Sequence, residues 1–379
     1  MPRLDDTLLT IDIEKAFENA GVILLSELAE EVEYIPLETL RESVTGDFLR
    51  VFATDKYIVA IAFRQNYLFD RKTGKFIREI GKFGEGPNEY FYTDFSFDEK
   101  RQTILSGLFT KEYIEYDLNG GVVRKIKYPN EIKLNSGLIM CDDNCFAVYN
   151  PCIDGNNPCK LYLFDDKGNV ILKFPNYHSF IEDPLRSFYH RGVFYKWKNE
   201  AFFFEGCVDT LFRITKNELI PYYRFKLGKY NPPYSEKQTL YKPFQKPLIN
   251  RYFDFLTINE SDRFLFFSFW HDKKNEERRI LPHNFGFYDK KSGTVKIAEI
   301  DDLEKSPVIN DIDNFAPIYP FLWSVNQYGE MVSYMEAGDI IDWFEANPEK
   351  AKKLPKHLQT MSKLKIDDNP VIVIAKLKK

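Results

Sequence analysis

One pattern recurs along this chain and limits what it can fold into. An apolar run ends in aspartate, a glycine turn follows, and a second strand resumes: Tyr67-Leu-Phe-Asp70, Arg71-Lys-Thr-Gly74, Lys75-Phe-Ile-Arg-Glu-Ile80. This reads as a β-hairpin. It returns as Ile114-Glu-Tyr-Asp117 with Asn119-Gly120-Gly121, and as Leu161-Tyr-Leu-Phe-Asp165 with Lys167-Gly168-Asn169. A weaker copy, Leu211-Phe212-Arg213, has Lys216-Asn217 in place of the glycine turn, and another runs from Phe285-Gly-Phe-Tyr-Asp289 through Gly293. The aromatic residues Phe69, Tyr116, Phe164 and Phe212 are 47, 48 and 48 residues apart, and the next interval, to Tyr288, is 76.

A period near 48 suits a four-stranded propeller blade, because one blade cannot bury both faces of its sheet and must stack on neighbours. Two more strands are expected ahead of each hairpin. In the first unit they fall at 48–53 and 57–63 around Thr54-Asp55-Lys56, and in the fifth at 252–258 and 263–270 around Asn259-Glu-Ser-Asp262. The longer interval contains a Pro-rich stretch near 227–250, read as an insertion. A sixth, irregular unit begins near Ile312 and includes Leu322-Trp-Ser-Val325, a turn at 326–329 and Glu330-Met-Val-Ser-Tyr334. A helix is expected over 339–347 with Asp339 as N-cap.

The final strand, Asn369-Pro-Val-Ile-Val-Ile-Ala-Lys-Leu377, has no following partner, and Glu31-Val-Glu-Tyr-Ile-Pro-Leu37 has no preceding one. Pairing these two would remove both open edges. The expectation is an all-β, six-bladed β-propeller over 31–379, closed by its N-terminal and C-terminal strands. Residues 1–30 form an extension outside the ring, with a short helix near 13–19. Aromatic residues make up 16% of the 379, which agrees with strands because rings pack well on pleated surfaces.

Charge excludes some partners. Acidic and basic residues, 57 against 52, are interspersed and net to -5, so nothing gathers phosphate backbones and no nucleic acid is expected. No apolar run approaches the roughly 18 residues that a membrane helix requires. The first residues lack the basic-then-apolar pattern of a leader. The cysteines at 141, 145, 152 and 159 are spaced by four, seven and seven, unlike a paired CxxC zinc site, and a fifth is Cys207. Free, partly buried thiols are the leading reading, with one disulfide across the loop from Asn150 to Pro158 as the alternative.

Three segments together, Val32-Glu-Tyr-Ile-Pro-Leu-Glu38, the Phe69 to Ile80 hairpin and Gly81-Lys-Phe-Gly-Glu-Gly-Pro-Asn-Glu-Tyr90, resemble the six-bladed β-propeller proteins of gut Bacteroidetes. These are similar, distantly, to NHL-repeat propellers. The resemblance implies a secreted, periplasmic or outer-membrane-anchored protein, with a lipid anchor in a full-length precursor whose leader has been removed. It implies no particular activity.

No HExxH, GxSxG or GxxxxGK[ST] motif occurs, so no catalytic residue is assigned, and neither metal nor cofactor is expected. His271 and His283 flank the charged loop 272–279, which reads as a solvated hairpin rather than a metal site. Asp311 and Asp313 are the carboxylates least arbitrary for a glycosidase pair, although most such acids are turn residues. The favoured function is a non-enzymatic extracellular or periplasmic module binding a protein or glycan. Trp270 with His271, and Trp323 with Tyr319, are its candidate stacking residues. Trp197, between two lysines, is a further ring near the surface. The alternative is a propeller hydrolase or lyase acting on a glycan or peptide at the central channel.

Residues 81–90 carry three glycines and invite comparison with a phosphate cradle. Such a cradle opens a helix whose amides meet the anion, whereas here strands lie on both sides. The segment is therefore expected to connect two blades.

Overall fold

A computed structural model of the chain describes residues 8–44, 48–62, 64–107, 112–132, 137–150, 158–176, 192–205, 208–231, 252–271, 283–298, 308–318 and 324–379. The fold is an all-β six-bladed β-propeller. In blades 1 to 5, strands consecutive in sequence are neighbours in antiparallel sheets. Blade 1 comprises Phe48–Ala53, Tyr57–Ala62, Asn66–Asp70 and Phe76–Glu79, and blade 2 comprises Tyr92–Asp98, Thr103–Gly107, Glu112–Asp117 and Val122–Lys127. Blade 3 is Leu138–Asp142, Cys145–Tyr149, Cys159–Phe164 and Val170–Pro175. Blade 4 is Gly192–Trp197, Glu200–Glu205, Thr210–Ile214 and Leu219–Lys226, and blade 5 is Asp254–Glu260, Phe264–Trp270, His283–Asp289 and Thr294–Ile297.

The recurring aspartate and glycine both serve the third-to-fourth-strand turn. Asp70 accepts from the amide of Thr73 at 2.8 Å, Asp117 from Asn119 at 2.8 Å, Asp165 from Lys167 at 3.0 Å and Asp289 from Lys291 at 2.9 Å. Each is an Asx turn in which a side-chain oxygen stands in for a backbone acceptor. Gly74, Gly120, Gly168 and Gly293 then take φ between 68° and 82°, where a Cβ is strained. Blade 4 lacks this pair and uses Thr215, whose hydroxyl accepts from the amide of Glu218 at 3.0 Å and donates to its carbonyl at 2.8 Å. A hydroxyl turn replaces the glycine turn, which is why this copy looked weak.

The chain divides into two compact units. One contains blades 6, 1 and 2. Blade 6 orders Ser324–Val325, Glu330–Met335, Val371–Leu377 and Ala29–Pro36, so the last strand of the chain lies between one from its own end and one from the N-terminal side. Ile372 faces Tyr334 on one flank and Ile35 on the other. This strand is the expected closure. Blade 6 packs on blade 1 through Ile35, Leu37, Val332, Ile372 and Ile374 against Val51, Ile58 and Phe69. Gly74 is tied to this closure as well, since a Cβ there would lie 2.0 Å from the carbonyl oxygen of Pro36.

The helix after blade 6's second strand runs over Ala337–Ala346 and begins earlier than expected. Its N-cap is Glu336, extended at φ -66° and ψ 146°, and Asp339 lies in the first turn. Ala337 and Ile340 are both buried, and burying that face draws the first turn two residues toward the N-terminus.

The other unit contains blades 3, 4 and 5. Aromatic rings fill the space between blades 4 and 5: Phe204 lies 4.9 Å from Phe255, Phe225 stacks on Phe255 at 5.6 Å, and Phe253 meets Phe269 at 4.4 Å. Gly286 lies beneath this layer, where a Cβ would approach the Phe267 ring to 2.5 Å. The N-terminal segment joins this unit: Thr10–Asp12 adds a parallel strand beside Leu219–Lys226. A helix over Ile13–Glu18, capped by Asp12 accepting from the amide of Lys15 at 3.0 Å, then sets Phe17 into the aromatic cluster.

Blade 5's first strand extends through Asn259 and Glu260, two polar residues that read as part of a turn. Glu260 is 2% exposed and takes its place in the strand because partners on other elements satisfy its carboxylate. No described helix is long and apolar enough to cross a membrane.

Candidate functional site

Trp270 ends the second strand of blade 5 and His283 begins the third, and the register places them opposite each other. Their rings stack with centroids 5.6 Å apart and planes 3° from parallel. Both are partly exposed, whereas residues 264–269 of the same strand are buried. Asp254, opposite Trp270 on its other flank, adds a carboxylate to the same strand ends. An aromatic platform with a neighbouring acid suits stacking and hydrogen bonding to a flat polar ligand.

His271 is not part of the platform. It is 5% exposed and meets Phe17, Tyr230 and Phe253 edge-on at 4.9, 5.1 and 5.3 Å, while its carbonyl accepts from Asn284 at 2.9 Å. Its imidazole is core packing, and His283 takes the place beside Trp270. Tyr319 and Trp323 lie outside the described residues. Trp197 is partly buried, with the ammonium of Lys290 4.1 Å and that of Lys198 4.6 Å from its ring centroid. Among the described residues, no three His, Cys, Asp or Glu side chains are grouped so as to hold a metal ion.

The same strand ends in blades 3 and 4 carry a second arrangement. Tyr149 closes the second strand of blade 3, Lys160 lies at the start of its third, and Glu205 closes the second strand of blade 4. The Tyr149 hydroxyl donates to Glu205 Oε1 at 3.1 Å, and Lys160 Nζ approaches Oε2 at 2.7 Å. Sequence reasoning missed this group. Its only sign is that a polar or amphipathic residue ends the apolar second strand of three consecutive blades, at Tyr149, Glu205 and Trp270.

Asp311 and Asp313 have structural partners. Asp311 accepts from the amide and hydroxyl of Ser26 at 2.8 and 2.5 Å. Burial would raise its carboxyl, but these bonds outweigh that and hold it below the usual range. Asp313 accepts from the Tyr34 hydroxyl at 2.9 Å, from Asn310 Nδ2 at 2.7 Å and from the amide of Phe315 at 2.9 Å. Together they fix the 308–318 segment to the chain around Ser26 and Tyr34, alongside the parallel pairing of Ile23–Leu24 with Val308–Ile309.

The glycine-rich segment 81–90 connects blades 1 and 2 as expected, and its own acid closes it. Glu89 accepts from the amide of Gly86 at 3.0 Å and pairs with Lys82 at 3.1 Å. The Gly86 bond, then Lys82, lowers its pKa. A Cβ on Gly84 would lie 2.1 Å from Glu89 Oε2. The carboxylate occupies the position that an anion would take in a phosphate loop.

Glu99, in the first turn of blade 2, accepts from the amide of Gln327 at 2.9 Å. Burial pushes its carboxyl up to about 7, against the opposing bonds from Gln327 and with further help from Glu330 and Asp98. With a folded pKa above the unfolded one, its contribution is fully present below the ordinary carboxylate value of 4.5 and is lost as pH rises through about 7. Glu99→Gln is expected to raise Tm at pH 8 by about 2 °C and to leave it nearly unchanged at pH 4.5. Thermal unfolding at both values tests this, and an equal shift at both would refute the assignment.

The profile of a family described as a domain of unknown function, DUF4934, matches residues 8–376. No curated protein matches the sequence. Among solved structures, the chain is similar to a Bacteroides fragilis protein described as exported, at 16% identity and TM-score 0.68, covering 98% of this chain and 99% of that one. It also matches the WD40 repeats of RRP9 at 8% identity and TM-score 0.46, over 92% and 100% of the two chains. The Neurospora crassa Pan2 WD40 domain matches at 9% identity and TM-score 0.38, over 82% and 83%. The first of these supports the propeller fold; the other two are too distant to carry an argument.

Proposed function

The chain belongs to the DUF4934 family, and on that premise we propose that it is an exported, non-enzymatic binding propeller. Its ligand is a glycan, held at the strand ends of blade 5 by Trp270 and His283. The observation that carries this reading is the partly exposed stacked pair closing an otherwise buried strand. A flat indole presents apolar surface to the C–H face of a sugar ring, and Asp254 lies opposite it in the strand register. Export is supported by the description of the similar Bacteroides protein. A lipid anchor and a distant NHL kinship belong to the same proposal. The non-enzymatic reading is supported by the structural bonds that engage Asp311 and Asp313.

The test is a glycan array followed by calorimetry on the glycan captured. Trp270→Ala is expected to weaken binding by about 10–30-fold. His271→Ala should lower Tm while leaving the affinity of the folded fraction unchanged. Equal affinity in the wild type and Trp270→Ala would refute the site, and capture of proteins alone would replace the glycan with a protein ligand.

A further inference from the structure

Two cysteines in blade 3 are brought together by an irregularity in its first hairpin. Met140 pairs with Phe146 and Asp142 with Cys145, so Cys141 is the extra residue of a β-bulge opposite Cys145. A bulge sets two residues of one strand against one of the other and re-aims the side chain of the extra residue. Here it turns Cys141 toward the face that Cys145 occupies: Cys145 belongs to the apolar cluster between blades 3 and 4, and Cys141 packs against that same cluster. Both are free thiols, Cys145 buried and Cys141 partly exposed. The neighbouring Cys145 thiol, then burial, pushes the Cys141 thiol up, while Cys141 in turn draws Cys145 down. Lys196 favours the Cys141 thiolate and Lys216 that of Cys145, while the Asp142 carboxylate opposes both.

We propose that Cys141 and Cys145 are an oxidation site, a dithiol that a small-molecule or protein disulfide converts to a cross-strand disulfide in the first hairpin of blade 3. Access sets the order: Cys141 is the less acidic thiol but the partly exposed one, so it is the member that loses its proton to solvent and attacks one sulfur of the external disulfide. A mixed disulfide forms and one thiol leaves. The Cys145 thiolate, already in contact, attacks Cys141 Sγ, and the second thiol leaves. The protein loses two electrons and two protons, and the external disulfide becomes two thiols. The product staples Leu138–Asp142 to Cys145–Tyr149 across the two-residue turn. This is a different pairing from the disulfide across 150–158: Cys159 is a free thiol, and Cys152 lies outside the described residues.

The chemistry is independent of the glycan site and is tested on the purified full chain. The reduced protein is incubated with glutathione disulfide, its remaining thiols are alkylated under denaturing conditions, and peptides are mapped by mass spectrometry. Trypsin leaves Cys141, Cys145, Cys152 and Cys159 together in residues 134–160, and chymotryptic cleavage after Phe146 separates the first two from the others, so the linkage appears in the fragment ending at Phe146 as the loss of two hydrogens and of both alkylations. Cys145→Ser is expected to stop at a glutathione adduct on Cys141, with an unchanged far-UV spectrum reporting an intact fold. Cys141→Ser should leave Cys145 reduced. Alkylation of both residues in the oxidised wild type would overturn the proposal, as would a linkage joining either one to a different cysteine.

Discussion

Removing Val371–Lys379 is expected to leave no folded protein. The strand Val371–Leu377 lies in the middle of blade 6 and pairs along its length with Glu330–Met335 on one side and Ala29–Pro36 on the other. Val371, Ile372, Val373, Ile374 and Leu377 are each at most 4% exposed. At about 1.5–3 kcal/mol per large apolar side chain, their burial is worth on the order of 10 kcal/mol. That is comparable to the whole net stability of a typical domain, about 5–15 kcal/mol. The loss extends beyond the deleted residues, because two strands would each expose a row of unpaired backbone groups. Ile372 and Ile374 also pack on blade 1, so the defect passes to the next blade. Expression of the truncated chain should give insoluble material, whereas removing Lys379 alone should change nothing. A soluble truncated chain with the wild-type far-UV spectrum and a Tm within a few degrees would show that the closing strand is dispensable.

How much of this was legible in the sequence depended on how local each requirement is. Asp70, Asp117, Asp165 and Asp289 announce their turns because the acceptor and the amides it meets are two or three residues apart. The closing strands were legible for a similar reason, since each is a strong strand with no neighbour in sequence. The placement of the candidate residues was only half legible. Trp270 stands out as the aromatic end of an apolar run, but His271 appeared to be its partner because it is adjacent. What buries His271 is Phe17, from a helix far upstream, together with Tyr230 and Phe253. No local pattern could reveal that. Conversely, His283 reaches Trp270 through strand register across a loop, and register is set by the whole hairpin. The Glu205 group and the bulge at Cys141 were missed for the same reason, because their partners come from other strands.

Glu260→Ala is expected to cost about 3–5 kcal/mol, because a buried charge network would lose its centre. Glu260 ends the first strand of blade 5 with a fully buried side chain. Its Oε1 accepts from the Tyr222 hydroxyl at 3.1 Å and pairs with Lys290 at 2.6 Å, while Oε2 accepts from the Tyr195 hydroxyl at 2.8 Å. Burial raises its carboxyl, and Lys290 and the two tyrosines pull it partway back without cancelling the rise. Removing the carboxylate strands two hydroxyls and takes from the Lys290 ammonium, 18% exposed, its carboxylate partner at 2.6 Å. The Trp197 ring beneath that ammonium, 4.1 Å away, is a weaker partner than a carboxylate. Glu260→Gln keeps an acceptor and should lose less, about 1–3 kcal/mol. Adding Lys290→Met to Glu260→Ala removes the ammonium that lost its carboxylate, and because the two groups share one interaction the double variant should cost less than the two single penalties summed. Urea unfolding at pH 7 of the wild type, Glu260→Ala, Glu260→Gln, Lys290→Met and the double variant measures all of this. If Glu260→Ala unfolds within about 0.5 kcal/mol of wild type, or if the double variant is simply additive, the Glu260 network does not hold blades 4 and 5 together.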